Sequence, residues 1–184
     1  AAAFSDGVRS QGVDVVDLGL ASTDLVYFAS GSRGAPGAMF TASHNPAQYN
    51  GVKFCLAGAR PVGQDTGLVT VRDLAQQVLD GRGPLPAATS GSRASRNLLS
   101  AFADHVVSFI DTAALRPMRV VADTANGMGG LVVPAVFERI PQLTLEVMYG
   151  ELDGTFPNHH PDPLQPENQR DLQARVVAGG FDVG

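Results

Sequence analysis

Short apolar runs alternate with helix-patterned segments twice along this chain, once on each side of a stretch rich in glycine, proline, serine and alanine at residues 81–95. That rhythm constrains the fold most. A buried strand followed by an amphipathic helix is the building unit of a parallel sheet covered by helices. In the first half, residues 1–11 read as the end of a helix, with Phe4 and Val8 one turn apart and Gly12 as its left-handed cap. Residues 13–20 read as a buried strand, broken only by Asp14 and Asp17. Ser22 or Thr23 can cap a short helix that stops at 30–32. Residues 37–42 and 51–56 read as two further strands joined by a loop. Residues 66–79 place Leu68, Val71, Leu74, Ala75 and Val78 on one face of a helix.

The Gly/Pro-rich stretch reads as a linker between domains. Beyond it the pattern predicts a long helix over 95–111, with Leu98, Leu99, Phe102, Val106 and Phe109 as its apolar face, then a strand at 118–122 and a turn at 123–127. A helix over 129–139 must tolerate Pro134 by a kink or a late start. A strand follows at 143–149, then a long polar loop at 150–163. Residues 166–178 form a helix with Pro166 at its start, where proline is welcome. Residues 181–184 look like a strand just begun. The chain opens inside an element, without an initiator Met, so the reading is of a fragment.

Composition narrows the partners. Of 184 residues, 13 are Lys or Arg and 18 are Asp or Glu, a net charge of −5, and no basic cluster stands out. Nucleic-acid binding is therefore not expected, since it needs a basic stripe to neutralise phosphates. A small anionic ligand remains open, because a few focused donors can outweigh net charge. The single cysteine, Cys55, forms no internal disulfide and reads as a small buried hydrophobe. No signal peptide and no apolar run long enough to span a membrane is evident. The expected location is the cytoplasm, with no membrane partner.

The chemistry concentrates in Phe40-Thr41-Ala42-Ser43-His44-Asn45-Pro46. A strand ends there and a loop stiffened by Pro46 presents a hydroxyl, as α/β proteins do at their sites. A Ser–His catalytic pair is one reading. Adjacency argues against it, because neighbouring side chains in an extended segment point to opposite sides, and no G-x-S-x-G elbow is present. A turn in which Ser43, His44 and Asn45 satisfy backbone groups is the plainer alternative. Asp153, His159, His160 and Asp162 could suggest Zn²⁺. Adjacent histidines seldom reach one ion, and the loop's prolines stiffen it further, so metal binding there is disfavoured. Residues 126–130 follow a strand and open a helix but lack a phosphate-loop spacing. Their glycines read as a tight turn with close helix–sheet packing.

The stretch Thr41-Ala42-Ser43-His44-Asn45-Pro46 resembles the phosphoserine motif of the α-D-phosphohexomutases, the phosphomannomutase/phosphoglucomutase family. It is followed by Tyr49-Asn50-Gly51-Val52-Lys53. Residues 19–23 resemble that family's first strand-to-helix turn. Residues 153–163, from Asp153-Gly154-Thr155-Phe156-Pro157 through Asn158-His159-His160-Pro161-Asp162-Pro163, resemble a second signature, and 179–184 resemble the strand that enters its metal loop. The likeness covers nearly the whole chain. It implies an α/β fold of two three-layer α/β/α domains with mixed, largely parallel sheets, both truncated. Residues 1–82 would be domain 1, 83–94 a linker and 95–184 domain 2.

The resemblance also implies chemistry. Ser43 would be phosphorylated in the resting enzyme and pass its phosphoryl between C6 and C1 of mannose or glucose phosphate through a bisphosphorylated sugar. Lys53 and His44 are the implied catalytic partners of Ser43, with Lys53 as acid/base or as a hold on the phosphoryl in flight. Asn45 and Asn50 are the implied substrate contacts. Mg²⁺ would bind a phosphoserine oxygen of Ser43 and aspartates outside this sequence, and a hexose 1,6-bisphosphate would act as activator. Third and fourth domains of the same chain would complete the site, so these 184 residues alone are expected to be inactive. The alternatives are phosphoglucosamine mutase, a sugar-phosphate-binding module without turnover, and, more weakly, a serine hydrolase.

Overall fold

All residues, 1–184, are described by the computed structural model of the protein. They divide into two units. Unit 1 comprises Ala1–Gly19, Val26–Phe40 and Val52–Asn97. Unit 2 comprises Leu20–Leu25, Thr41–Gly51 and Leu98–Gly184.

Unit 1 contains helix α1 (Ala2–Ser10), strand β1 (Val15–Asp17), most of α2 (Thr23–Arg33), strands β2 (Gly37–Phe40), β3 (Val52–Leu56) and β4 (Arg60–Pro61), helix α3 (Leu68–Leu79) and strand β5 (Arg93–Ser95). Strand β2 runs antiparallel to β3, with Gly37 opposite Cys55 and Phe40 opposite Val52, and β4 returns along β3. Val26, Ala29, Ser30 and Cys55 are buried between α2 and this sheet. The Ser30 hydroxyl donates to the carbonyls of Ala35 and Leu56 and accepts from the Ala59 N–H, so the buried polar atom is satisfied.

The expected linker ends in structure. Residues 93–95 form β5, which pairs in parallel with β1, Val15 opposite Arg93. The two aspartates that interrupt the β1 run hold this pairing. Asp14 accepts from the Ser92 N–H and hydroxyl, both at 2.7 Å, and Asp17 accepts from Arg93 at 2.5 Å. Charge-assisted bonds across more than seventy residues hold the end of this stretch beside β1. Helix α3 forms with the expected apolar face, yet none of its residues is buried; Leu74 is 52% and Val78 56% exposed.

Unit 2 contains α4 (Leu99–Val107), β6 (Met118–Asp123), α5 (Gly129–Phe137), β7 (Leu143–Met148) and α6 (Arg170–Gly179). Strands β6 and β7 are parallel, Met118 opposite Leu143 and Asp123 opposite Met148, and Val183 bridges Val120 in parallel. Phe102, Ala103, Val121, Ile140 and Phe181 are buried here. Helix α4 is shorter than the pattern predicted. Ser95 belongs to β5, and at the far end the Ser108 N–H and hydroxyl close the helix on the carbonyls of Asp104 and His105. Phe109 lies beyond it, 73% exposed. Pro134 sits inside α5, and residues 166–169 form a 3-10 turn before α6.

Gly130 sets how closely α5 approaches the end of β7. A Cβ there would stand 2.0 Å from the Gly150 carbonyl oxygen, so only glycine fits. That bears out the reading of close helix–sheet packing at Gly130.

Candidate functional site

The loop between β2 and β3 is braced by its own polar groups. The Thr41 N–H donates to the Gly51 carbonyl at 3.0 Å and closes the loop at its base. The Thr41 hydroxyl accepts the Ser43 N–H at 3.0 Å. Asn45 bonds the Ala42 carbonyl through both its backbone N–H (3.1 Å) and its side-chain Nδ2 (2.7 Å), and the Asn50 Oδ1 accepts the Gly51 N–H at 2.9 Å. Residues 46–49 add a turn closed by the Tyr49 N–H on Pro46. Ser43 is exposed and has φ of +57°. A non-glycine residue in that region is strained, and such strain persists where surrounding bonds over-determine it. The bonds through Thr41 and Asn45 do so here.

Ser43, His44, Asn45 and Asn50 share this loop. The Asn45 and Asn50 amides spend one atom each on the loop itself, leaving Asn45 Oδ1 and Asn50 Nδ2 unpaired. His44 is exposed. Its charge, with that of His160, helps hold the Asp162 carboxyl below the usual range. The larger causes are the bonds Asp162 accepts from the Gln165 side chain and the Leu164 N–H. Lys53 stands on β3 opposite Met39, exposed, without a side-chain hydrogen bond or ion pair.

A second braced region lies at the C-terminal ends of β6 and β7. Four non-glycine residues there have positive φ: Ala125 (47°), Asn126 (57°), Tyr149 (53°) and Phe156 (53°). Asn126 organises them and is 6% exposed. Its N–H donates to the Tyr149 carbonyl, its carbonyl accepts the Asp153 N–H, its Nδ2 donates to the Glu151 carbonyl, and its Oδ1 accepts from Asn158 Nδ2 at 2.8 Å. Asn tolerates left-handed backbone better than most residues, which explains its place. Metal binding by His159 is disfavoured from the sequence, and its ring pairs with Asp123 at 2.9 Å. The sequence reading missed the roles of Thr41, Asp123 and Asn126. A signal existed for Asp123, as an acid at the C-terminal end of a predicted parallel strand.

No group of three or more His, Cys, Asp or Glu side chains is arranged to hold a metal ion. The side chains of this chain therefore do not by themselves fit a Mg²⁺ cage.

Comparison with known proteins points to one family. A family model described as phosphoglucomutase/phosphomannomutase, alpha/beta/alpha domain I matches residues 1–77, and the model for domain II of the same family matches residues 100–184. The chain is 38% identical to a phosphomannomutase of Salmonella montevideo, over 99% of this chain and 41% of that protein. It is 40% identical to a protein named phosphohexose mutases from Xanthomonas campestris pv. campestris, over 99% of this chain and 40% of that one. A crystal structure of a phosphoglucomutase/phosphomannomutase family protein from Burkholderia thailandensis superposes with a TM-score of 0.80 at 32% identity, covering 98% of this chain and 39% of that one. The chain thus spans about two fifths of the length of the curated relatives it matches.

Proposed function

Because the chain belongs to the phosphoglucomutase/phosphomannomutase family, we propose that Ser43 carries the phosphoryl group of a phosphohexomutase acting between C6 and C1 of mannose or glucose phosphate. The observation that carries this reading is the strained, exposed and internally braced presentation of Ser43. A phosphoserine ester is stable in water until an acceptor is aligned with it, so a rigid platform supplies most of what the chain must contribute.

In the first transfer the bond between Ser43 Oγ and phosphorus breaks, and a bond forms from phosphorus to the free hydroxyl of a hexose monophosphate. The proton of that hydroxyl leaves through a general base, for which Lys53 is proposed, and Ser43 Oγ regains a proton. The bisphosphorylated sugar then turns over and returns its other phosphoryl to Ser43 by the reverse steps, so atoms and charge balance over the cycle. Asn45 Oδ1 and Asn50 Nδ2, both unpaired, are proposed to contact substrate, and His44 to meet the phosphoryl group. Mg²⁺ dependence, hexose 1,6-bisphosphate activation and a cytoplasmic location belong to the same proposal. No helix is long and apolar enough to cross a membrane.

The test is phosphopeptide mapping of the full-length protein that carries this segment, after exposure to a hexose 1,6-bisphosphate with labelled phosphate and Mg²⁺. Label is expected on the peptide bearing Ser43 and lost in Ser43→Ala. Label on another residue would overturn the assignment. Sugar-phosphate binding with no label at all would leave a binding module in its place.

A further inference from the structure

The His159 ring meets an acceptor at each nitrogen. Nε2 stands 2.9 Å from Asp123 Oδ2, and Nδ1 stands 2.9 Å from the His160 carbonyl oxygen. A neutral imidazole has one N–H and would turn a lone pair on one of these acceptors. The other carboxylate oxygen, Asp123 Oδ1, is already occupied as acceptor of the Ala125 N–H at 2.9 Å. Both side chains are enclosed, His159 15% and Asp123 7% exposed, so water cannot relieve a mismatch cheaply.

We propose that His159 is a positioning residue held as the imidazolium, a charged pin that locks the 150–163 loop onto the C-terminal end of β6. Groups from three elements face it. Asp123 comes from β6. Tyr149, at the end of β7, packs its ring edge-on at 5.4 Å and donates its hydroxyl to Asp171 of α6 at 2.7 Å. Asp171 adds a second negative charge nearby, and the backbone of His160 closes the other side. Burial works against the charged ring, but the His160 carbonyl and the Asp123 carboxylate outweigh it and raise its pKa above the ordinary value. The sign follows: the pin is closed at low pH and released as pH rises through the raised value.

The consequence reaches the loop that bears Ser43. The 41–51 loop belongs to the same unit as residues 150–163, where His44 acts on Asp162 three residues beyond His159. Asp162 is itself braced by the Leu164 N–H and by the Gln165 and Asn168 side chains, so a pinned His159 anchors the other side of a short stretch that is already stiff at Asp162. This part of the inference rests on the proposed role of Ser43; the charge state of His159 does not.

Ring-nitrogen NMR of the protein through about pH 5 to 8, where an ordinary histidine loses its charge, tests it. His159 is expected to show two N–H signals and a midpoint above about 6.5, the free value. Asp123→Asn is expected to lower that midpoint by about one unit or more, the effect of removing an adjacent opposite charge. A single neutral tautomer in the wild-type protein overturns the proposal even if the variant does not fold, as does a midpoint unmoved in Asp123→Asn. The companion readout is the rate of Ser43 labelling against pH. The wild-type rate is expected to fall through the His159 midpoint, and His159→Gln to be slower and lack that limb. Labelling with no inflection at that midpoint would overturn the positioning role. Absence of any labelling would instead defeat the proposed function while leaving the NMR result to decide the pin.

Discussion

Replacing Gly130 by alanine should destabilise the second unit, and the size follows from geometry. The added Cβ would stand 2.0 Å from the Gly150 carbonyl oxygen and 2.8 Å from its carbon. Both obstacles are main chain. On one side Gly130 is held by its N–H on the Gly127 carbonyl; on the other, Tyr149 sits at φ +53° with its carbonyl bonded by Asn126. Neither segment can yield by a side-chain rotation, so α5 and the end of β7 must separate. Overpacking of this kind costs about 1–3 kcal/mol, and backbone against backbone belongs at the upper end. Alanine recovers about 1 kcal/mol of helix preference over glycine. The net expectation is a loss of about 2 kcal/mol. With a urea slope of about 2 kcal/mol per molar, the midpoint should drop by about 1 M. The assay is urea unfolding followed by NMR signals of unit-2 residues such as Val121. Gly7→Ala is the control. Gly7 is exposed within α1, and nothing lies within 4 Å of its added Cβ. That change should stabilise unit 1 by up to about 1 kcal/mol. A Gly130→Ala protein whose midpoint equals or exceeds wild type would refute the reasoning.

Two further outcomes are expected. Asn126→Ala strips the partners of the Glu151 carbonyl and the Asn158 amide and leaves alanine at φ +57°, so it should cost about 1–3 kcal/mol for the orphaned groups plus about 1 kcal/mol of backbone strain. Asn126→Gly should recover only the backbone part, which paired denaturation curves would separate. Tyr149 is pushed up to about 12 by its hydrogen bond to Asp171, then by burial and the charge of that carboxylate. Because the folded value lies above the ordinary value of about 10, the stability it contributes is complete below about pH 10 and lost as pH rises toward 12. Ultraviolet absorbance should show one of the three tyrosines ionising late, and Tyr149→Phe should remove that phase.

Much of the secondary structure was legible because its signals are local. The apolar run and Gly12 foretell β1, the 3.6-residue pattern foretells α3, and Pro166 marks the turn that leads into α6. The Ser43 loop was legible as well, since Thr41, Asn45, Asn50 and Gly51 brace it within eleven residues. Strand β5 was not. A three-residue segment in a Ser/Gly-rich stretch carries no periodicity, and its partner β1 lies some eighty residues away. The end of α4 was missed for a related reason: apolar residues continue past Val107, but Ser108 closes the helix on its own carbonyls.

The division between the two sources of information is clearest in the second unit. By itself the sequence determined that a strand ends near Asp123, that a stiff polar loop follows β7, and that a serine is offered in the β2–β3 loop. Periodicity, turn chemistry and proline act over a few residues and can be read one window at a time. Only the tertiary structure decided that His159 faces Asp123, that Asn126 gathers Tyr149, Glu151, Asp153 and Asn158, and that α5 presses Gly130 against Gly150. Those pairings join residues 20 to 36 positions apart. They exist because β6 and β7 run parallel in one register, which brings both strand ends, and the loops that leave them, to the same edge of the sheet.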